Sequence, residues 1–175
     1  MGELHCINCE EMSCAALDLN KQELGLQLSS GHGTTYRAGE LILKEGTFTS
    51  HILYLKSGLV KEFKSSSQNE EYILQIVKEK SYLGLPSLFG DKINQFSYTA
   101  LTDVKVCHIN LSVFKAFLLS NGNFGYHILQ SVSSDSLNNY HRFNSLHFKK
   151  ISGKLADALL YFSKKIYLSE SFYMH

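Results

Sequence analysis

Three cysteines near the start of the chain have metal-ligand spacing: Cys6, Cys9 and Cys14 form a C-x2-C-x4-C run. A metal ion or cluster needs several thiolates converging on one point, and a short loop brings them there at low entropic cost. A fourth ligand must come from elsewhere. Cys107 is the one remaining cysteine and His5 the local alternative. Zinc accepts either. The run reads equally as ordinary reduced thiols in a lead segment.

A second constellation lies at Ser81–Gly90, Ser-Tyr-Leu-Gly-Leu-Pro-Ser-Leu-Phe-Gly. Gly84 lets backbone approach a bound group closely. Pro86, the only proline in the chain, suits the first turn of a short helix, where no N–H is needed. The unbonded N–H groups of that turn, with Ser87 beside them, would face a phosphate or carboxylate. The plainer alternative is a tight turn joining a strand to one helical turn.

The elements that would position these groups follow from composition and periodicity. The 175 residues suffice for one domain, or one plus a fragment, and 44% hydrophobic against 19% charged residues supports a real core. A net charge of +1 gives no general pull toward nucleic acid or membrane. No apolar run approaches a membrane span, and the first residues lack a signal peptide's charged and apolar regions. A cytoplasmic location is therefore expected, where thiols and metal ligands outnumber disulfides.

Asp18 or Asn20 can cap a first helix over about 18–30, with Leu24, Leu26 and Leu28 as its apolar surface. From Thr34 the texture becomes short strands: Thr34–Tyr36, Leu41–Leu43, a pair within His51–Lys64 turning at Ser57-Gly58, then Glu71–Lys78, Gln95–Thr99 and Val104–Ile109. The Ser57-Gly58 pair predicts a hairpin. Many short strands with regular turn signals predict an antiparallel sandwich or barrel. From Asn110 the period becomes helical. Leu129, Val132, Ser136, Asn139, Phe143 and Leu146 step by 3, 4, 3, 4, 3 in a long helix reaching Phe148. That is the seam of a two-stranded coiled coil, with polar Ser136 and Asn139 able to fix register. Ser152 is placed to cap a last helix from Lys154 to about Leu168.

In this order the segments resemble the Crp/Fnr family of bacterial transcription regulators over nearly the whole chain, from Cys6 to Leu168. The resemblance is carried by Arg37-Ala38-Gly39-Glu40, by Leu53 to Lys61, by the phosphate-binding-cassette-like Tyr82 to Phe89, by Ala100-Leu101-Thr102-Asp103, and by the hinge-like Ile151 to Ala156. It implies an α+β fold: an antiparallel β-roll, of the double-stranded β-helix or jelly-roll kind, with an N-terminal helix and a long C-terminal dimerisation helix. The implied division is a Cys-containing lead and helix over 1–24, an effector domain over 25–120, a dimerisation helix over 121–148, and a hinge with the first helix of a winged helix-turn-helix over 149–175. On this resemblance the rest of that DNA-reading domain is expected to be missing from this chain.

Effector-binding residues implied by the resemblance are Gly84, Leu85, Pro86, Ser87, Asn94 and Gln95, with Asn139 and Tyr140 reaching in from the long helix. Cyclic-nucleotide binders of the family carry a Glu after the cassette glycine and an Arg further on. Here those places hold Leu85 and Asn94 or Gln95, so cyclic AMP binding is expected to be weak or absent. In the oxygen-sensing Fnr branch three N-terminal cysteines and one on a roll strand hold a [4Fe–4S] cluster. Cys6, Cys9, Cys14 and Cys107 match those places, although the last N-terminal gap is one residue short. The implied function is the sensing and dimerising part of a DNA-binding regulator, responding to redox state, oxygen or nitric oxide. The alternative is a stand-alone binding module for a small, nucleotide-like molecule. A haem sensor would find eight histidines, none singled out by spacing.

Catalysis finds no support. There is no Gly-x-Ser-x-Gly elbow and no Walker loop. A cupin-type metal site would need clustered ligands. No His-x-His pair occurs, and His32 and His51 sit far apart in turn-like sequence.

Overall fold

A computed structural model describes residues 19–20, 22–23, 25–26, 31–66 and 70–167. The cysteine run Cys6, Cys9, Cys14 and the candidate ligand His5 lie outside the described residues. The chain divides into two compact units, residues 1–129 and 130–175.

The first unit is built on eight strands: β1 His32–Tyr36, β2 Leu41–Leu43, β3 His51–Ser57, β4 Leu59–Ser65, β5 Glu71–Lys78, β6 Ser81–Leu83, β7 Ser97–Ala100 and β8 Val104–Asn110. They form two four-stranded sheets, β1-β8-β3-β6 and β2-β7-β4-β5, with every pairing antiparallel. The expected α+β architecture with an antiparallel β-roll is present. Short helices α1 (Leu85–Phe89) and α2 (Leu111–Ser120) follow, and then the long helix α3, Gly122–Phe148. Asn110 starts α2 by accepting the N–H of Ser112 on its side chain at 2.9 Å, the usual cap for a strand-to-helix switch.

Strand β3 shows why the sheets pack as they do. Ile52, Leu53, Tyr54 and Leu55 are all buried, so both faces of the strand are covered. Leu53 and Leu55 join Val60, Val77, Leu83, Tyr98, Ala100, Val104 and Val106 in one cluster. Ile52 and Tyr54 join Cys107 and Ile109 in a second, which takes in Leu85 and Leu88 of α1, Phe114 and Phe117 of α2, Phe124 and Ile128 of α3, and Leu19. Within the second cluster the rings of Tyr82, Phe114, Phe124 and Phe117 meet edge to face in sequence, 5.4–5.9 Å between centroids, a favoured aromatic geometry.

The expected hairpin at Ser57-Gly58 is not one. β3 and β4 belong to different sheets, and β4 makes its hairpin with β5, from Leu59 opposite Lys78 to Ser65 opposite Glu71. Gly58 is the corner where the chain changes sheets. Its φ is +90°, and a Cβ there would meet the Asp103 carbonyl at 2.6 Å and Val104 Cγ1 at 2.7 Å. The corner is tied by the Leu59 N–H donating to Thr102 Oγ1 at 3.0 Å and the Leu101 N–H donating to the Leu59 carbonyl at 2.8 Å. Glycine is required for both space and backbone conformation. Hairpin turns and sheet corners share that requirement, so the local sequence does not distinguish them.

In the second unit, α4 (Ile151–Tyr161) runs into a π-helical turn, Phe162–Tyr167. The helix starts three residues before the expected Lys154, and Lys150 rather than Ser152 holds the N-cap position. Asp157 ties the elbow. Its carboxylate accepts from Lys149 Nζ at 2.8 and 2.7 Å and from the Ser145 hydroxyl. Those donors, Lys149 first, hold the Asp157 carboxyl below its usual range.

Candidate effector site

The cassette follows directly from β6. Leu83 pairs with Leu53, and the chain then turns through Gly84 at φ +82°. The nearest atoms to a Cβ there would be Asn94 Oδ1 and Leu43 Cδ1, both at 3.7 Å. The left-handed backbone at this turn is what calls for a glycine.

Two of the expected outward-facing donors are already engaged. The N–H groups of Ser87 and Leu88 both donate to the Gly84 carbonyl, at 3.1 and 3.3 Å. Ser87 is buried, and its Oγ accepts the N–H of Gln95 at 3.1 Å. Leu85 and Leu88 point into the aromatic cluster. Pro86 sits in the first turn of a helix of only five residues.

Asn94 and Gln95, the next two expected effector-binding positions, are likewise committed. Asn94 is 2% exposed. Its Nδ2 donates to Thr47 Oγ1 at 3.0 Å and its Oδ1 accepts from Thr49 Oγ1 at 2.8 Å. Its backbone N–H donates to the Thr47 carbonyl, and its carbonyl accepts from Gly46. Asn94 is thus a rivet between the cassette and the 46–49 loop. Gln95 Nε2 donates to Asp91 Oδ2 at 2.7 Å. The Ile93 N–H and then the Gln95 amide hold the Asp91 carboxyl below its ordinary range. This carboxylate beside the cassette repels an anion. The sequence shows what is missing here, but the loop that fills the gap is visible only in three dimensions. Asn139 and Tyr140 lie in the second unit, both exposed on α3.

Cys107 is buried at 7% exposure on β8, in the cluster that also holds Ile52, Tyr54, Ile109 and Leu19. Next to it on β8 is a group the sequence does not reveal. His32 and His51 lie on strands rather than in turns. His32 stacks on His108 with ring centroids 4.4 Å apart, and His51 lies 6.0 and 6.2 Å from the two. The stack follows from register, because His32 is the direct cross-strand partner of His108. Burial first, then the fields of His32 and His51, push the His108 imidazole down to about 4, so that ring is neutral at pH 7. Among the described residues no three His, Cys, Asp or Glu side chains are arranged to hold a metal ion. The signal that could have exposed the group is period-two alternation through His32, Thr34 and Tyr36, which puts His32 on a strand face.

Residues 34–121 match the sequence profile of the cyclic nucleotide-binding domain family. No curated protein matches the chain. Among solved structures, a c-di-GMP responsive global regulator, CLP from Xanthomonas campestris, is 16% identical with a TM-score of 0.70, over 84% of this chain and 74% of its own. The sensor domain of the transcriptional regulator DNR from Pseudomonas aeruginosa is 18% identical with a TM-score of 0.61, over 78% and 90%. A chain assigned to the crp/fnr regulators, from Eubacterium rectale, is 15% identical with a TM-score of 0.73, over 85% and 69%. At these identities the likeness is one of fold, that of Crp/Fnr sensor domains.

Proposed function

The chain belongs to the cyclic nucleotide-binding domain family, and from that premise we propose that it is the sensing and dimerising part of a Crp/Fnr-type transcription regulator rather than an enzyme. One observation carries the reading. A long helix leaves this roll with Leu129, Val132, Phe143 and Leu146 at least 36% exposed along one heptad series. An apolar stripe of that period is what a second copy of the helix would cover. DNA would be read by a winged helix-turn-helix carried beyond the hinge, in a cytoplasmic homodimer. A helix-turn-helix encoded after residue 175 separates this reading from a stand-alone binding module.

The effector is not cyclic AMP. A phosphate would enter a cassette whose Ser87 and Leu88 N–H groups and Asn94 amide are spent on the protein's own backbone and loop. It would also lie beside the Asp91 carboxylate. Each absent hydrogen bond to a charged group amounts to about 1.5–3 kcal/mol, or roughly 10- to 150-fold in affinity. Titration calorimetry with cyclic AMP up to on the order of 1 mM is expected to give no saturable heat. A saturable isotherm would overturn this.

A second reading adds a redox signal. Leu19 packs in the same cluster as Cys107, and five residues of chain span at most about 18 Å, which leaves Cys14 within reach of that strand. Cys6, Cys9, Cys14 and Cys107 would then hold an iron–sulfur cluster, which supplies a group that reacts with oxygen or nitric oxide. On this reading, anaerobic reconstitution loads about four irons and four sulfides per chain, and Cys107→Ala abolishes loading. Equal iron content in the two proteins would sink it.

A further inference from the structure

We infer that Glu23 is a positioning residue that couples the amino-terminal segment to the start of the long helix α3, because one carboxylate holds both. On its own segment, Glu23 Oε2 accepts the N–H of Asn20 at 2.9 Å. In return Asn20 Oδ1 accepts the N–H groups of Gln22 and Glu23 at 2.9 and 3.0 Å. This is a reciprocal capping box with asparagine in the serine position. Nearly one hundred residues later in the chain, the same carboxylate accepts from Asn121 Nδ2 at 3.0 Å on Oε2 and from Ser120 Oγ at 3.3 Å on Oε1.

Asn121 is the joint between α2 and α3. Its N–H closes α2 on the Phe117 carbonyl at 2.9 Å. Its Oδ1 accepts the Phe124 N–H at 3.1 Å, and its carbonyl accepts from Gly125 at 3.0 Å, so it also caps α3. Phe124 then fixes the first turn of α3 by inserting between Phe114 and Phe117. Glu23 therefore grips the residue that sets where α3 begins, and all of these residues lie in the first unit. The same donors, the Asn20 N–H first and the Asn121 amide second, hold the Glu23 carboxyl below its usual range.

The consequence is directional. A change that loosens residues 20–23 frees one arm of the Glu23 carboxylate, and the Asn121 joint loosens with it. A signal received in the amino-terminal lead would thus reach α3 without passing through the cassette. The proposal takes its biological use from the regulator reading above but not its evidence. A monomeric protein, or one without a DNA-reading domain, would defeat that reading and leave the coupling intact.

The test is amide hydrogen exchange on the 175-residue chain, following peptides over residues 20–26 and 120–128, with β4–β5 as the internal control. Among the described residues, the hydrogen bonds of Asn20 go to Gln22 and Glu23, and Glu23 carries the link to Asn121. Asn20→Ala is expected to speed exchange of the first turn of α3 by roughly fivefold, and Glu23→Gln by roughly tenfold in both segments, in line with charge-assisted bonds of this kind. Asn20→Ala added to Glu23→Gln is expected to change the α3 turn no further. Two outcomes overturn the proposal: wild-type exchange at residues 122–125 in Asn20→Ala, or additive effects in the double variant. Should Glu23→Gln fail to fold, the Asn20→Ala single variant decides alone.

Discussion

Glutamate at both Leu129 and Phe143 is expected to halve the molecular mass of the protein in solution. The two residues are 62% and 57% exposed, and they share the heptad series with Val132 and Leu146. Covering such a side chain is worth about 1.5–3 kcal/mol, and two-fold symmetry counts each contact twice. A carboxylate placed in that seam must also be desolvated facing its own copy. Together these terms exceed what a helix pair of this size can lose and stay associated at micromolar concentration. Sedimentation equilibrium of the wild type should give twice 19.8 kDa and of the double variant once that mass. Leu137→Glu, off the series although 61% exposed, should remain a dimer. A wild-type protein at the monomer mass ends the dimer reading outright.

Phe114→Ala should remove a large part of the stability of the first unit. Phe114 is 0% exposed, and its ring touches Tyr82 at 5.7 Å and Phe124 at 5.4 Å between centroids. It connects the strand before the cassette to the first turn of α3. Truncating such a ring costs about 3–5 kcal/mol, a large share of a domain stability of about 5–15 kcal/mol. Urea unfolding should show a lower midpoint at an unchanged slope. Phe148→Ala, on a residue 82% exposed, should fall within about 0.5 kcal/mol of wild type. A loss below about 1 kcal/mol for Phe114→Ala would mean that the aromatic chain is not what joins roll to helix.

Much of this fold is legible in one sequence because most of its elements are short and individually patterned. Leu41–Leu43, Glu71–Lys78 and the long helix all stand where local periodicity puts them. What escapes is whatever depends on a distant partner. The Ser57-Gly58 turn is locally indistinguishable from a hairpin, and only the pairing of β4 with β5 and β7 shows it to be a corner. The three histidines come from strands whose adjacency is set by register. Gly84 and Pro86 mark the turn into the short helix after β6, but the fold alone shows that the Ser87 and Leu88 N–H groups go to the Gly84 carbonyl and the Asn94 amide to Thr47 and Thr49. Asn20 announces itself as a cap; that Glu23 answers it and also reaches Asn121 requires the fold.

The rivet at Asn94 bears on how such a protein can change over evolutionary time. Exchanging Asn94 for arginine would not by itself create a nucleotide receptor. The guanidinium would arrive in a space where two threonine hydroxyls have lost their partner, with Asp91 at hand to neutralise it. An arginine at this place would require rebuilding residues 46–49 in the same step, and each intermediate on that route would be less stable.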